Sequence, residues 1–236
     1  IQLGTKNYIL EDIFEEDCRY ELNEYENTII QKLKKEFMSS EKLQQHVSFL
    51  YQKGSMYLCS NNTLLFHGCV PLNEQGYLKE IKINGTIYKG KSFFDYCDQQ
   101  ARNAYFHEDS EAIDFMFYLW SSIDSPLSGR QLKTFERFFI KDQSMWLEKR
   151  NPYYQFYNRE ECCLSILEEF HMNIKLSHII NGHTPVKCHE TPLRANGKVI
   201  IIDGGFCKAY QKETGIAGYT LISNSHGLRL KSHTPF

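Results

Sequence analysis

The sequence predicts a mixed α/β fold, with helices layered on a sheet in α+β order and no regular βαβ alternation. Three observations carry that expectation. Helical patterns come in blocks between pairs of strand patterns. The run "KVIIID" is made of branched residues, as in a strand buried on both faces. Alternating apolar residues also flank Asn84-Gly85, the strongest short signal for a hairpin.

Taken in order, residues 1–54 are expected to form a helical segment that packs on a core built from residues 55–236. Leu22, Tyr25, Ile29, Leu33 and Phe37 recur at three- and four-residue steps and line one helix face. Ser39 and Ser40 can cap a second helix carrying Leu43, Val47, Leu50 and Tyr51, and Gly54 stops it. The charges Lys32, Lys34, Lys35 and Glu36 read as a solvated face. Residues 56–59 and 63–67 form a predicted hairpin turning at Asn61-Asn62, and "LKEIKINGTIYKG" forms another. One helix follows Ser92, with Phe94, Cys97 and Ala101 on a face; the next follows Ser110, with Ile113, Phe117 and Trp120. "SSIDSPLSGR" is loop by composition. A short helix is expected through Phe135 to Phe139. A longer one spans about Glu160 to Phe170, with Cys163, Ile166, Leu167 and Phe170 inward. The last third returns to strands: "LSHII", "KVIIID" ending in Asp203-Gly204-Gly205, and "GYTLISN" paired with "GLRLKSH" around Asn224 to Gly227.

The chain has 236 residues, 42% of them hydrophobic, which suits a globular domain with a real core. Its formal charge of −2 gives no electrostatic reason to expect a nucleic-acid partner. No segment approaches the ~20 apolar residues of a membrane helix. The amino end shows no signal-peptide pattern. Eight cysteines are scattered without a Cys-x-x-Cys pair. Cys59 and Cys97, in apolar surroundings, read as reduced core residues of a cytoplasmic protein. Ile1 in place of Met suggests part of a longer polypeptide.

Two predicted strands end in a histidine beside glycine. "TLLFHGC" delivers His67, and "HIINGHTP" delivers His183. Neutral imidazole is a good ligand for Zn, Mn and Fe, and a strand end holds it rigidly. The glycines clear space for an ion or its substrate. On pattern alone, ligation and an ordinary hydrogen-bonded histidine remain equally open. A di-metal centre also needs carboxylates and two ions ~3.5–4 Å apart. The chain holds no Gly-Asp dipeptide and no Gly-Asn-His to supply them. Arg130 could grip a phosphate through its planar fork of donors. Asp203 more often closes a turn with its own backbone, and Asn224 to Gly227 around His226 can be only a hairpin turn. Cys69 has no visible base beside it, and no Gly-x-x-x-x-Gly-Lys phosphate loop occurs.

With these stretches in hand, the chain resembles the bacterial class III fructose-1,6-bisphosphatases. The likeness rests on "LLFHGCVPL", "INGTIYKGKSFFDYC", "SPLSGRQLKTFERFFI", "INGHTPVK", "VIIIDGGFCKAYQKETGIAGYTLI" and "NSHGLRLKSH", from about residue 41 onward. The resemblance implies the calcineurin-like metallophosphatase fold, a β-sandwich flanked by helices, with this chain as its carboxyl-terminal part. It implies that His67 and His183 are metal ligands and, through a "LWS" stretch shared with related protein phosphatases, that Arg130 binds phosphate. It further implies two ions, manganese by expectation, completed by a missing amino-terminal part that also holds the catalytic residues. The implied activity is removal of the 1-phosphate of fructose 1,6-bisphosphate in gluconeogenesis, with little turnover by this chain alone. Two other readings stand beside it. One is a metallophosphatase for another phosphoester, such as a phosphoprotein; the other is a non-catalytic assembly or regulatory module with structural histidines.

Overall fold

The computed structural model describes residues 2–3, 6–7 and 21–235; the predicted features before residue 21, Cys18 among them, lie outside the described residues. Contacts group the chain into two compact units, Ile1–Gly54 with Lys133–Leu147, and Ser55–Leu132 with Glu148–Phe236. The mixed α/β class is as expected. No described helix is long and apolar enough to cross a membrane.

In the first unit, β1 (Gln2–Leu3) and β2 (Lys6–Asn7) pair antiparallel. Helix α1 (Glu24–Ser39) starts where Asn23 and Glu26 exchange side-chain and backbone hydrogen bonds, a capping box. Ser40 caps α2 (Glu41–Lys53), and the Gly54 N–H closes it on Leu50 O. The apolar stripe Tyr25, Ile29, Leu33 and Phe37 lies on α1 as predicted, yet neither helix buries a residue. Leu22 falls one residue before the cap.

The second unit opens with the hairpin β3 (Tyr57–Ser60) and β4 (Thr63–Phe66). Asn61 and Asn62 take φ of 48° and 58°, as a type I′ turn demands. The second hairpin, β5 (Ile81–Ile83) and β6 (Thr86–Tyr88), turns at Asn84-Gly85. Helix α3 (Gly90–His107) buries Phe93, Phe94, Cys97 and Ala101. Ser92 lies inside it, its hydroxyl taking the Lys89 N–H. Asp109 caps α4 (Ser110–Ser121).

The predicted face of α4 is overturned as a core face. Ile113, Phe117 and Trp120 are 48%, 66% and 54% exposed, and Ala112 and Leu119 are buried instead. The helix meets α3 through Phe115, whose ring stands edge-on to Tyr96 at 5.3 Å. A second correction concerns Cys59. It sits on β3, the edge strand of the sheet, and is exposed, whereas Cys97 is fully buried. All seven described cysteines are free thiols.

The short helix α5 (Thr134–Phe139) belongs to the first unit. Helices α6 (Tyr153–Phe156) and α7 (Glu160–Glu169) follow in the second. Then come β7 (His178–Asn181), β8 (Leu193–Arg194), β9 (Val199–Ile201), α8 (Lys208–Thr214) and the hairpin β10 (Gly218–Asn224) with β11 (Gly227–His233). The main sheet runs β3-β4-β7-β9-β8, parallel through β4, β7 and β9 and antiparallel at both edges. Leu64, Phe66, Ile179, Val199 and Ile201 pack with Phe94, Cys163, Ile166, Leu167 and Phe170 in the core.

Candidate metal centre

The parallel register sets Phe66 opposite Asn181, so the chain leaves β4 and β7 at the same end of the sheet. In open α/β sheets the carboxyl ends of parallel strands are where ligands bind. His67 follows one strand directly and His183 follows the other by two residues.

Asn181 stitches the two exits together. Its buried amide donates to His67 O at 3.0 Å and Gly68 O at 2.8 Å, and its Oδ1 accepts from Tyr153 Oη at 3.1 Å. The Gly182 N–H adds a bond to His67 O at 3.0 Å. A Cβ on Gly182 would stand 3.2 Å from His67 Nδ1, so glycine there keeps the imidazole free to sit. His183 takes φ of 63°, the left-handed region, in a tight turn where Thr184 N–H reaches back to Gly182 O. Val186 N–H then anchors the segment to Asp203 O.

This turn aims one ring at the other. His183 Nδ1 and His67 Nε2 are 3.2 Å apart, and the rings meet at 74° with centroids 5.1 Å apart. Burial, then the positive charges of Arg130 and His67, lower the His183 imidazole from its usual 6.5 to about 4; Asp203 opposes this and Arg150 adds to it. At neutral pH the ring is therefore uncharged, the form that binds metals. Its Nε2 is buried without a hydrogen-bond partner.

These residues fit a cation. Two nitrogens bound at about 2.1 Å to one ion, between a right angle and the tetrahedral angle, stand roughly 3.0–3.4 Å apart. The observed separation of 3.2 Å falls inside that span. Among the described residues no group of three or more His, Cys, Asp or Glu gathers as a complete ligand set. Asp203, the acid that acts on His183, uses Oδ1 to accept the Gly205 N–H, so it closes its own turn.

The "SPLSGR" loop forms the next wall. Pro126 O accepts from both Gly68 N–H and Cys69 N–H, at 3.0 and 3.1 Å. A Cβ on Gly68 would meet Leu127 C and Pro126 O at 2.5 Å, so only glycine lets this loop approach. The loop ends at Arg130, a half-buried residue whose Nε is buried and unbonded, as is Ser128 Oγ. Tyr154 Oη holds Ser128 O at 2.7 Å.

The remaining candidates lie elsewhere. His226 tops the β10–β11 hairpin, where Asn224 Oδ1 takes its N–H. Cys69 is fully buried, and burial pushes its thiol far above the ordinary range, which suits packing and not attack. Sequence reasoning missed Asn181, Tyr154 and Arg150. Asn181 carried a signal, since a polar residue ending an apolar strand needs partners for its amide.

Comparison with known proteins follows the same line. The family model of the Firmicute fructose-1,6-bisphosphatases matches residues 1–236. The chain is 50% identical over 248 residues to a protein of Clostridium botulinum (strain Loch Maree / Type A3) named fructose-1,6-bisphosphatase class 3, covering 100% of this chain and 37% of that protein. It is 52% identical over 225 residues to the protein of that name from Clostridium novyi (strain NT), covering 92% of this chain and 34% of that one. The chain thus spans little more than a third of the length of these curated relatives. No solved structure matches.

Proposed function

The chain belongs to the Firmicute fructose-1,6-bisphosphatase family, and on that premise we propose that the protein cleaves the 1-phosphate of fructose 1,6-bisphosphate, a gluconeogenic step in the cytoplasm. Within it this chain supplies His67 and His183 as ligands to a manganese ion. A second ion and the acidic ligands come from sequence outside this chain, in the amino-terminal part of a longer protein. The relatives' length supports that division.

The facing imidazole nitrogens carry this reading. When bound, such ions polarise a phosphoryl oxygen and make hydroxide available from water near neutral pH. His183 is held neutral and keeps Nε2 sealed from water. Arg130 offers its fork to the phosphate, with its buried Nε as one donor. Gly68 lets the Pro126–Leu127 backbone approach, and Gly182 leaves room for the His67 ring.

The test compares phosphate release from fructose 1,6-bisphosphate by the full-length protein and by this chain alone, both with manganese. The reading expects turnover by the first and negligible turnover by the second. Robust hydrolysis by this chain alone would refute the division of labour, and equal rates on a phosphopeptide would refute the sugar assignment.

A further inference from the structure

Arg130 and Arg150 are partners in an isolated antiparallel bridge. Gln131 N–H donates to Lys149 O at 2.9 Å and Asn151 N–H to Gly129 O at 2.8 Å. That bonding pattern marks a non-hydrogen-bonded pair, in which the two side chains share a face and approach most closely.

The bridge is built in, not incidental. Asn151 is buried; its Oδ1 accepts from Leu72 N–H and Tyr153 N–H, and its Nδ2 donates to Asp124 Oδ1. Asp124, the acid at this junction, gives its other oxygen to Lys79 at 2.7 Å. Neither arginine has an ion pair with a carboxylate among the described residues. Like charges set directly opposite each other destabilise a pair of strands. An anion between or beyond the two forks would offset that cost. Both positive charges act on the Tyr154 hydroxyl, Arg130 the more strongly, so both serve the side of the loop that Tyr154 lines.

The arginines differ in depth. Arg130 is half-buried beside His183, and Arg150 is exposed at the rim. Fructose 1,6-bisphosphate carries a phosphate at each end. A site with one cationic fork would hold the reacting phosphate and leave the other in water.

We propose that Arg150 grips the phosphate that is not cleaved, while Arg130 holds the one that is; this rests on the bisphosphatase reading above. Arg150 is then the residue that selects a bisphosphate over a simple phosphoester.

The test uses the full-length protein with manganese and two substrates, fructose 1,6-bisphosphate and p-nitrophenyl phosphate. For Arg150→Ala, the KM for the bisphosphate rises roughly 10- to 100-fold, the size of a lost charge-assisted contact. Its kcat/KM for p-nitrophenyl phosphate, which has no second phosphate to lose, falls by a much smaller factor. Binding of fructose 6-phosphate, which keeps the uncleaved group, weakens in parallel by titration calorimetry. Arg150→Lys recovers part of both losses. Equal losses on the two substrates, an unchanged KM for the bisphosphate, or no recovery with lysine would overturn the assignment and leave the bisphosphatase reading standing. Failure of the wild-type protein to hydrolyse the bisphosphate would overturn both.

Discussion

His183 Nδ1 lies 3.2 Å from His67 Nε2, although 116 residues separate them in the sequence. The two ring nitrogens stand at hydrogen-bond distance, and backbone brings them there. Each is set by backbone: the parallel register of β4 and β7, the three carbonyls that Asn181 spans, and a left-handed turn at His183 itself. A non-glycine residue in that region of φ costs of order 1–3 kcal/mol and persists where the surrounding structure over-determines the backbone. The two ring nitrogens are thus brought together by the backbone of two neighbouring strand exits.

Ligand removal should therefore act on metal content before anything else. His67→Ala and His183→Ala, each in the full-length protein, are expected to lower bound manganese by about one equivalent per chain, since one of two sites loses a ligand. Elemental analysis after gel filtration reads this directly. Undiminished manganese in both variants would return the histidines to a structural role.

The clamp beneath the pair makes a separate prediction about stability. Asn181→Ala removes the donor to His67 O and Gly68 O and strands the Tyr153 hydroxyl in the core. Leaving such buried groups unpaired is expected to cost about 2–4 kcal/mol. Tyr153→Phe removes one bond of the network and is expected to cost about 1 kcal/mol. Urea unfolding of the two variants gives the comparison, and equal midpoints for wild type and Asn181→Ala would show that the clamp is not under load.

Much of this scaffold was legible in the sequence, for local reasons. Asn61-Asn62 and Asn84-Gly85 are turns because those residues tolerate positive φ, a property of the residue itself. Val199 to Ile201 reads as a doubly covered strand because branched apolar residues have nowhere else to go. His67 and His183 were legible as strand ends, but their convergence depends on β4 and β7 being neighbours, which no local pattern states. The face Ile113, Phe117 and Trp120 misled because periodicity reveals a stripe without revealing what meets it. Cys59 misled because an apolar context does not distinguish an edge strand from a central one. Arg150 was invisible, since its significance comes from a bridge to Arg130 across an intervening excursion of the chain.

Gly68 should be the least replaceable residue of the loop contact. In Gly68→Ala the new methyl would stand 2.5 Å from Leu127 C and Pro126 O, both backbone atoms that cannot rotate away. Overpacking of this kind is expected to cost about 1–3 kcal/mol. It should also displace the segment that ends at Arg130, so phosphate affinity falls more than manganese content. Inorganic phosphate inhibition of the full-length protein measures the first and elemental analysis the second; a fall in metal alone would contradict this order.

Buried thiols predict how stability responds to alkali. Burial raises Cys163 from its ordinary 9.0 to about 12, and raises Cys69 and Cys97 as well. A raised folded-state value means the folded chain holds the proton more tightly than the unfolded chain. The stabilisation is then fully present below the unfolded value and is lost as pH climbs toward the folded one. Between those limits each such thiol removes up to ~1.4 kcal/mol per pH unit. Cys163 is fully buried, with its Sγ directed to Tyr157 O at 3.5 Å, so little of this is screened by solvent. Cys163→Ala is therefore expected to be less stable than wild type near neutrality, through the lost packing, but to lose less stability between about pH 9 and about pH 11. Urea midpoints at those two pH values decide the matter. Parallel losses in wild type and variant would mean that the Cys163 proton is not what the folded core retains.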